Sequence, residues 1–285
     1  GGVTLHRLPH LAGAGYLFNR FALRRLVDRI VPDVVNAHYA SGYGTLAVKP
    51  AGAPLVLNVW GSDVYEFPDA SPLHRWLLRR NLRRADAVVS TSEVMARRTA
   101  RVCPGLMPIT VVPFGVDTQR FAPRPAAHDA LVVGTVKALA PKYGIDLLLR
   151  AFARLSAGRM EPVRLRIVGD GPERSALGQL AAALGIQGRV DFVGAVPHDQ
   201  VPDELNRLDV YVALSRTHSE SFGVAVIEAS ACGLPVVVSE AGGLPEVVER
   251  DGTGFIVPME DDQAAAERIA ELLADAALRA RMGAA

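Results

Sequence analysis

The chain has 285 residues, 49% hydrophobic and 21% charged, which suits a folded protein with room for two ordinary domains and excludes a disordered one. No apolar run reaches the ~18–20 residues that a membrane-spanning helix needs, and no signal-peptide pattern opens the chain. The net charge of +1 hides an asymmetry, because residues 1–125 hold 16 basic and 8 acidic side chains whereas residues 126–285 hold 15 and 22. Either the first half meets something anionic or the two halves are unevenly solvated.

Short β-branched runs alternate with helical stretches, the pattern of an α/β protein with parallel sheets covered on both faces. In the first half, strands are expected at 33–38, 54–60, 85–92 and 109–115, and helices at 16–31, 72–84 and 93–102. A polar, Pro-punctuated segment follows. It divides the chain into an N-terminal domain 1–118, a linker 119–130 and a C-terminal domain 131–285. The series then restarts, with strands at 131–136, 163–169, 190–195, 209–215, 235–240 and 254–258. Helices are expected at 145–157, 173–184, 199–207, 223–232, 244–250 and 262–274. Cys103 and Cys232 lie in apolar runs without paired spacing, as reduced core cysteines of a cytoplasmic protein would.

Two doubly wound units bind ligands outside the carboxyl ends of their strands, so the loops after strands carry the functional candidates. The chain has three lysines against 28 arginines, and two of them, Lys137 and Lys142, fall in the loop after the first C-terminal strand. A flexible point charge there suits a phosphate, or is an incidental part of a solvated loop. "GDGPER", with Gly169 and Gly171, is either a backbone approach for a ligand or a tight turn. Gly242 and Gly243 raise the same pair of readings. Ser221, Phe222 and Gly223 stand at the expected start of a helix, whose unpaired amides and dipole favour an anion.

That helix carries Glu228 amid Val224, Ala225, Val226, Ile227, Ala229, Ala231 and Cys232. A carboxylate so placed needs a partner: a sugar hydroxyl from a ligand, or an arginine in a buried ion pair. Glu220, just before the helix, reaches the same ligand or is solvated. Helix 72–84 carries Arg75, Arg79 and Arg83 at fourfold spacing beside Leu73, Trp76 and Leu77, and helix 16–31 carries Arg20 and Arg24. Such faces suit an anionic membrane surface, or ordinary packing with a solvated basic side. No Asp-x-Asp triplet, His/Cys cluster, G-x-S-x-G elbow, phosphate-binding P-loop or G-x-G-x-x-G turn occurs. The basic residues also lack the interleaved aromatics of a nucleic-acid groove.

Taken in order, these stretches resemble the retaining glycosyltransferases of family 4. "ESFGVAVIE" resembles that family's E-x7-E motif, "VVPFGVDTQRFAP" its inter-domain signature, and "VGTVKALAPKYGIDLLLRAF", "IVGDGPE", "VDFVGAV" and "GGLPEVVERDGTGFIVP" its C-terminal domain. The resemblance implies a GT-B fold, with two Rossmann-like domains facing a central cleft and an incomplete first domain. It implies retaining, metal-independent transfer of a sugar from a nucleotide-diphosphate donor to a glycan or lipid-linked acceptor, at the cytoplasmic face of a membrane, with no cofactor. Glu220 would contact the transferred sugar and Glu228 the ribose. Lys137, Lys142 and the amides of Ser221, Phe222 and Gly223 would hold the diphosphate. Gly134 would open the basic loop, and Gly169, Gly171, Val193 and Gly194 would border the base. "NVWGSDVYEF" resembles the family's H-G-[ST]-D loop, with Trp60 in the histidine's place. Asp63, and His38 at a neighbouring strand end, are therefore the acceptor-side candidates.

Two departures stand out: Thr135 follows Gly134 where arginine is usual, and Tyr143 precedes Gly144 where lysine is usual. A chain that opens at Gly1 and stops in a helical "RARMGAA" looks cut at both ends. Two other functions fit the same residues: a nucleotide-sugar epimerase and a non-catalytic nucleotide-sugar binding module.

Overall fold

The computed structural model describes residues 2–9, 15–47, 49, 52–124, 129–157 and 163–285. The chain divides into two compact units, Gly1–Pro113 and Phe114–Ala285. Residues 125–128 of the expected linker lie outside the described residues.

In unit 1, α1 (Gly15–Ile30) leads to β1 (Val35–His38), α2 (Gly42–Leu46), β2 (Leu55–Asn58), α3 (Ser62–Tyr65) and α4 (Phe67–Ala70). Then come α5 (Pro72–Arg84), β3 (Ala87–Ser90), α6 (Glu93–Val102) and β4 (Thr110–Val111). The strands lie parallel in the order β1-β2-β3-β4. Ser71 and Ser92 start α5 and α6 by accepting the amides of His74 and Met95, the usual N-cap device. Leu57, Val59, Leu78, Leu82, Val88 and Met95 fill the core between sheet and helices. The expected strand 109–115 forms only two paired residues, and Pro113 has no amide to extend the ladder.

Unit 2 contains β5 (Leu131–Val136), α7 (Ile145–Ser156), β6 (Val163–Val168), α8 (Arg174–Ala183), β7 (Val190–Gly194) and α9 (Val201–Leu205). It continues with β8 (Val210–Ala213), α10 (Val224–Ala231), β9 (Val236–Ser239), β10 (Gly254–Val257), α11 (Asp262–Ala274) and α12 (Ala276–Ala284). All pairs are parallel, in the order β10-β9-β8-β5-β6-β7. Read from the other edge, this is the doubly wound order 3-2-1-4-5-6, and the winding reverses between β5 and β8. One face of the sheet is covered by Leu148, Phe152, Ile269 and their neighbours, the other by Leu205, Val226 and Leu244. The expected helix 244–250 shrinks to a single 3-10 turn, Leu244–Glu246, and the stretch 199–207 forms α9 preceded by a 3-10 turn at His198–Gln200. Both cysteines are buried and unpaired, as expected.

Candidate functional site

The reversal point fixes which loops meet. Lys137 is the first residue past β5, held there by its amide on the Val168 carbonyl at 2.9 Å. The loop after β8 brings Glu220 to it, and Lys137 Nζ lies 2.9 Å from Glu220 Oε2. Ser215 Oγ donates to the same carboxylate oxygen at 3.1 Å. The two side chains are only 17% and 12% exposed. Both charges are thus largely desolvated and held by each other, a costly state for either alone.

Tyr143 also takes part. Lys137 Nζ lies 4.6 Å and Lys142 Nζ 5.0 Å from its ring centroid, both within cation–π range. A tyrosine at the position where the family resemblance leads one to expect a lysine therefore collects the two lysines on one ring. Lys137 is the inner of the two, while Lys142 is exposed.

The start of α10 faces the same region of the loop. Gly223 caps it with φ of +104°, which no side chain favours, and no capping side chain meets the helix. Among the described residues, no acceptor meets the amides of Ser221, Phe222 or Gly223, and those of Val224 and Ala225 fall in the first turn, where helices leave donors unpaired. Phe222 is buried against Phe114, edge to face at 5.6 Å between centroids. Its side chain anchors the loop, so only its backbone is available to an anion.

Glu228, one turn into α10, is buried, and its partner is not the arginine that its surroundings suggested. His198 Nε2 lies 3.0 Å from Glu228 Oε1, and the histidine is 64% exposed. Residues 30 apart in sequence meet because the segment after β7 packs Val201 and Leu205 into the same core layer as Val226 and Ala229 of α10. No local spacing could have announced this pairing.

The glycines explain themselves by loop packing. A Cβ on Gly169, whose φ is +138°, would lie 2.0 Å from the Lys137 carbonyl oxygen, and one on Gly171 would lie 2.4 Å from that of Leu139. The two loops are zipped by Leu139 N to Asp170 O at 3.0 Å and Glu173 N to Leu139 O at 3.1 Å. Gly242 and Gly243 do the same for the other side: their Cβ atoms would fall 1.9 Å from Glu220 O and 2.5 Å from Ser221 O. These residues position the functional loops by letting backbones touch.

Gly134, expected to open the basic loop, lies inside β5, where a Cβ would strike Leu208 Cδ2 at 2.5 Å. It is a packing residue of the sheet. Val193 and Gly194 end β7, and Gly194 accepts the Gly169 amide at 2.8 Å with open space on its Cα.

In unit 1 the expected pair separates by role. Asp63 is 1% exposed and accepts the amides of Ala40 at 2.8 Å, Trp60 at 3.0 Å and Gly61 at 2.9 Å. Burial outweighs these bonds and raises its pKa above the ordinary aspartate value. It builds the loops after β1 and β2 rather than facing outward. His38 is exposed at the end of β1 and accepts Trp60 Nε1–H on Nδ1 at 3.2 Å. An indole donates only, so this bond places the imidazole proton on Nε2. Tyr39 stacks on Trp60 with 5° between ring planes.

Among the described residues, no three His, Cys, Asp or Glu side chains converge as a metal site, and no helix is long and apolar enough to cross a membrane.

Comparison with known proteins places the architecture. The fold matches Anabaena HepE solved with UDP (TM-score 0.81, 24% identity, 93% of this chain and 74% of that one). It also matches sucrose-phosphate synthase from Thermosynechococcus elongatus (TM-score 0.78, 24% identity, 93% and 70%). The fold is GT-B, that of a large class of glycosyltransferases. The family model for glycosyl transferases group 1 matches residues 117–285 and that for glycosyl transferase 4-like proteins matches residues 2–92. The chain belongs to glycosyl transferases group 1.

Among named relatives, a GDP-mannose-dependent alpha-(1-6)-phosphatidylinositol monomannoside mannosyltransferase of Mycolicibacterium smegmatis is 34% identical over 84% of this chain. The phosphatidylinositol N-acetylglucosaminyltransferase gpi3 subunit of Schizosaccharomyces pombe is 31% identical over 92%. The matches span 66% and 60% of those two relatives' lengths.

Proposed function

We propose that this chain is the core of a retaining, metal-independent glycosyltransferase that moves a sugar from a nucleoside-diphosphate sugar to a hydroxyl of a glycolipid acceptor. The observation that carries this reading is the Lys137–Glu220 pair at the point where the sheet reverses. An anionic diphosphate entering there meets Lys137, Lys142 and the unpaired amides of residues 221–225. It releases Glu220 from its lysine, and Glu220 then accepts hydrogen bonds from the sugar. Glu228 exchanges His198 for ribose hydroxyls.

The leaving diphosphate gathers negative charge as the glycosidic bond breaks, and two lysines with a helix N-terminus stabilise it without a divalent cation. The acceptor hydroxyl attacks from the face that the diphosphate leaves, so the anomeric configuration is kept. No protein nucleophile is required by this arrangement. The two relatives named for phosphatidylinositol glycolipids support an acceptor of that class. The basic faces of α1 and α5 support docking at the cytoplasmic face of an anionic membrane.

The test is product analysis with GDP-, UDP- and ADP-sugars and a phosphoinositide acceptor in EDTA. The reading expects free nucleoside diphosphate and a glycoside with the donor's anomeric configuration. An epimerase would yield a new nucleotide sugar, and a binding module would yield nothing.

A further inference from the structure

A second candidate site lies within unit 1 and shares no residue with the donor loops. A cavity of about 380 Å³ opens beside α5, of the size that small ligands occupy. Its wall is one face of that helix: Arg75, Arg79, Arg80 and Arg83, with Trp76 among them and Asp69 opposite. The backbone positions of the four arginines span ~12 Å of the helix axis, at 1.5 Å rise per residue.

Among the described residues, the charges on this face are not balanced. Asp69 is the acid of the lining, and it is already engaged twice, by Arg75 at 2.9 Å and by Arg98 at 2.7 Å. Among the described residues Arg79 uses only Nε, donating to the Val102 carbonyl at 2.6 Å, which leaves its outer nitrogens for another acceptor. Among the described residues Arg80 and Arg83 meet no acceptor, and Arg80 lies over the Trp76 ring at 5.8 Å. The next residue on the helix repeats the pattern. Arg84 Nη1 is shielded from solvent with no partner among the described residues, and burial, with Arg20 and Arg80 nearby, lowers its pKa.

Like charges gathered around a cavity are unfavourable unless an anion completes them. Guanidinium forks match phosphate oxygens two at a time, and several forks can share one phosphate. Trp76, 58% exposed, offers a ring face to the apolar part of such a ligand.

We propose that this cavity is a phosphate-binding site, taking a phosphate-bearing ligand from solution or as the headgroup of an anionic lipid. Its lipid arm rests on the membrane docking already proposed for the basic face of α5, but it uses no residue of the donor pocket, so its failure and that of sugar transfer are separable.

The chain has two tryptophans, and Trp60→Phe leaves Trp76 as the only reporter. In that background, Trp76 emission is followed during titration with glycerol phosphate, against sodium chloride at matched ionic strength. A parallel titration uses phosphatidylcholine vesicles with and without phosphatidylglycerol. The expected result is a saturable change with one probe, at least tenfold weaker in R80Q/R83Q, whose circular dichroism and nucleotide-sugar titration are unchanged. Saturation by glycerol phosphate assigns a soluble ligand; saturation only by phosphatidylglycerol vesicles assigns a lipid headgroup. Should the double variant fold poorly, Arg83→Gln alone, at an exposed position, reads the same effect with a smaller loss. The proposal is overturned if neither probe exceeds the salt control, or if the response survives the arginine substitutions.

Discussion

The two units each bury carboxylates at the ends of parallel strands, but they hold them differently. Asp63 of unit 1 is bound by the backbone amides of Ala40, Trp60 and Gly61. Glu220 and Glu228 of unit 2 are bound by the side chains of Lys137, Ser215 and His198. Backbone amides cannot leave without unfolding the loop, so an acid held by them is part of the scaffold. Side-chain partners can swing away by rotamer change, so an acid held by them can exchange its partner for a ligand. Carboxylates in the segments that follow parallel strands thus separate into architecture and chemistry.

The sharpest break in this comparison is Asp63→Ala. It strips an acceptor from three buried amides, at about 1–3 kcal/mol per unsatisfied group, and several kcal/mol in all. Denaturant unfolding should show that loss. Glu228→Gln, whose partner His198 is largely exposed, should leave the unfolding midpoint nearly in place, whereas Glu220→Gln leaves Lys137 without its carboxylate and should lower it by less than Asp63→Ala does.

Next comes Gly242→Ala. With φ of +52° and a Cβ only 1.9 Å from Glu220 O, the loop carrying Glu220 must shift. We expect about 2 kcal/mol of lost stability together with lost nucleotide-sugar binding. A variant with unchanged binding would mean that the two loops move independently.

Glu228→Gln should weaken nucleotide-sugar binding by about 10–100-fold, the equivalent of one or two hydrogen bonds to a charged group. Calorimetric titration reads this directly.

The pH dependence of Asp63 has a definite sign. Its folded pKa lies above the ordinary value, so the folded state holds the proton more tightly. Its contribution is complete below the unfolded pKa and is lost as pH rises through the folded one. Across that interval, wild-type stability should fall with rising pH more steeply than that of Asp63→Asn, measured by unfolding at several pH values.

The smallest effect is expected from His198→Ala. A largely exposed histidine should contribute no more than about 0.5 kcal/mol to folding.

The sequence made the periodic elements plain, because β-branched runs and amphipathic helices carry their own signal. Strand β5, with expected and observed bounds of 131–136, and helix α5, with 72–84, coincide end to end. The short helices α2, α3 and α4 were missed, since four or five residues hold too little periodicity to register. The site was legible as motifs but not as contacts. Nothing near Glu228 points to His198, and nothing near Gly169 shows that the Lys137 carbonyl will occupy its missing side chain. Likewise, the amides that enclose Asp63 come partly from a loop 23 residues upstream. Propensity acts locally, whereas partners are chosen by topology.

The most direct test of the account is titration of GDP-, UDP- and ADP-sugars in EDTA against wild type, Glu220→Gln, Glu228→Gln and Asp63→Asn. The account predicts that one nucleotide class binds wild type without metal. Both glutamate variants should lose that binding while remaining folded, Glu228→Gln with a wild-type unfolding midpoint, and folded Asp63→Asn should retain it. Full binding in both glutamate variants, or binding only after a divalent cation is added, would contradict it.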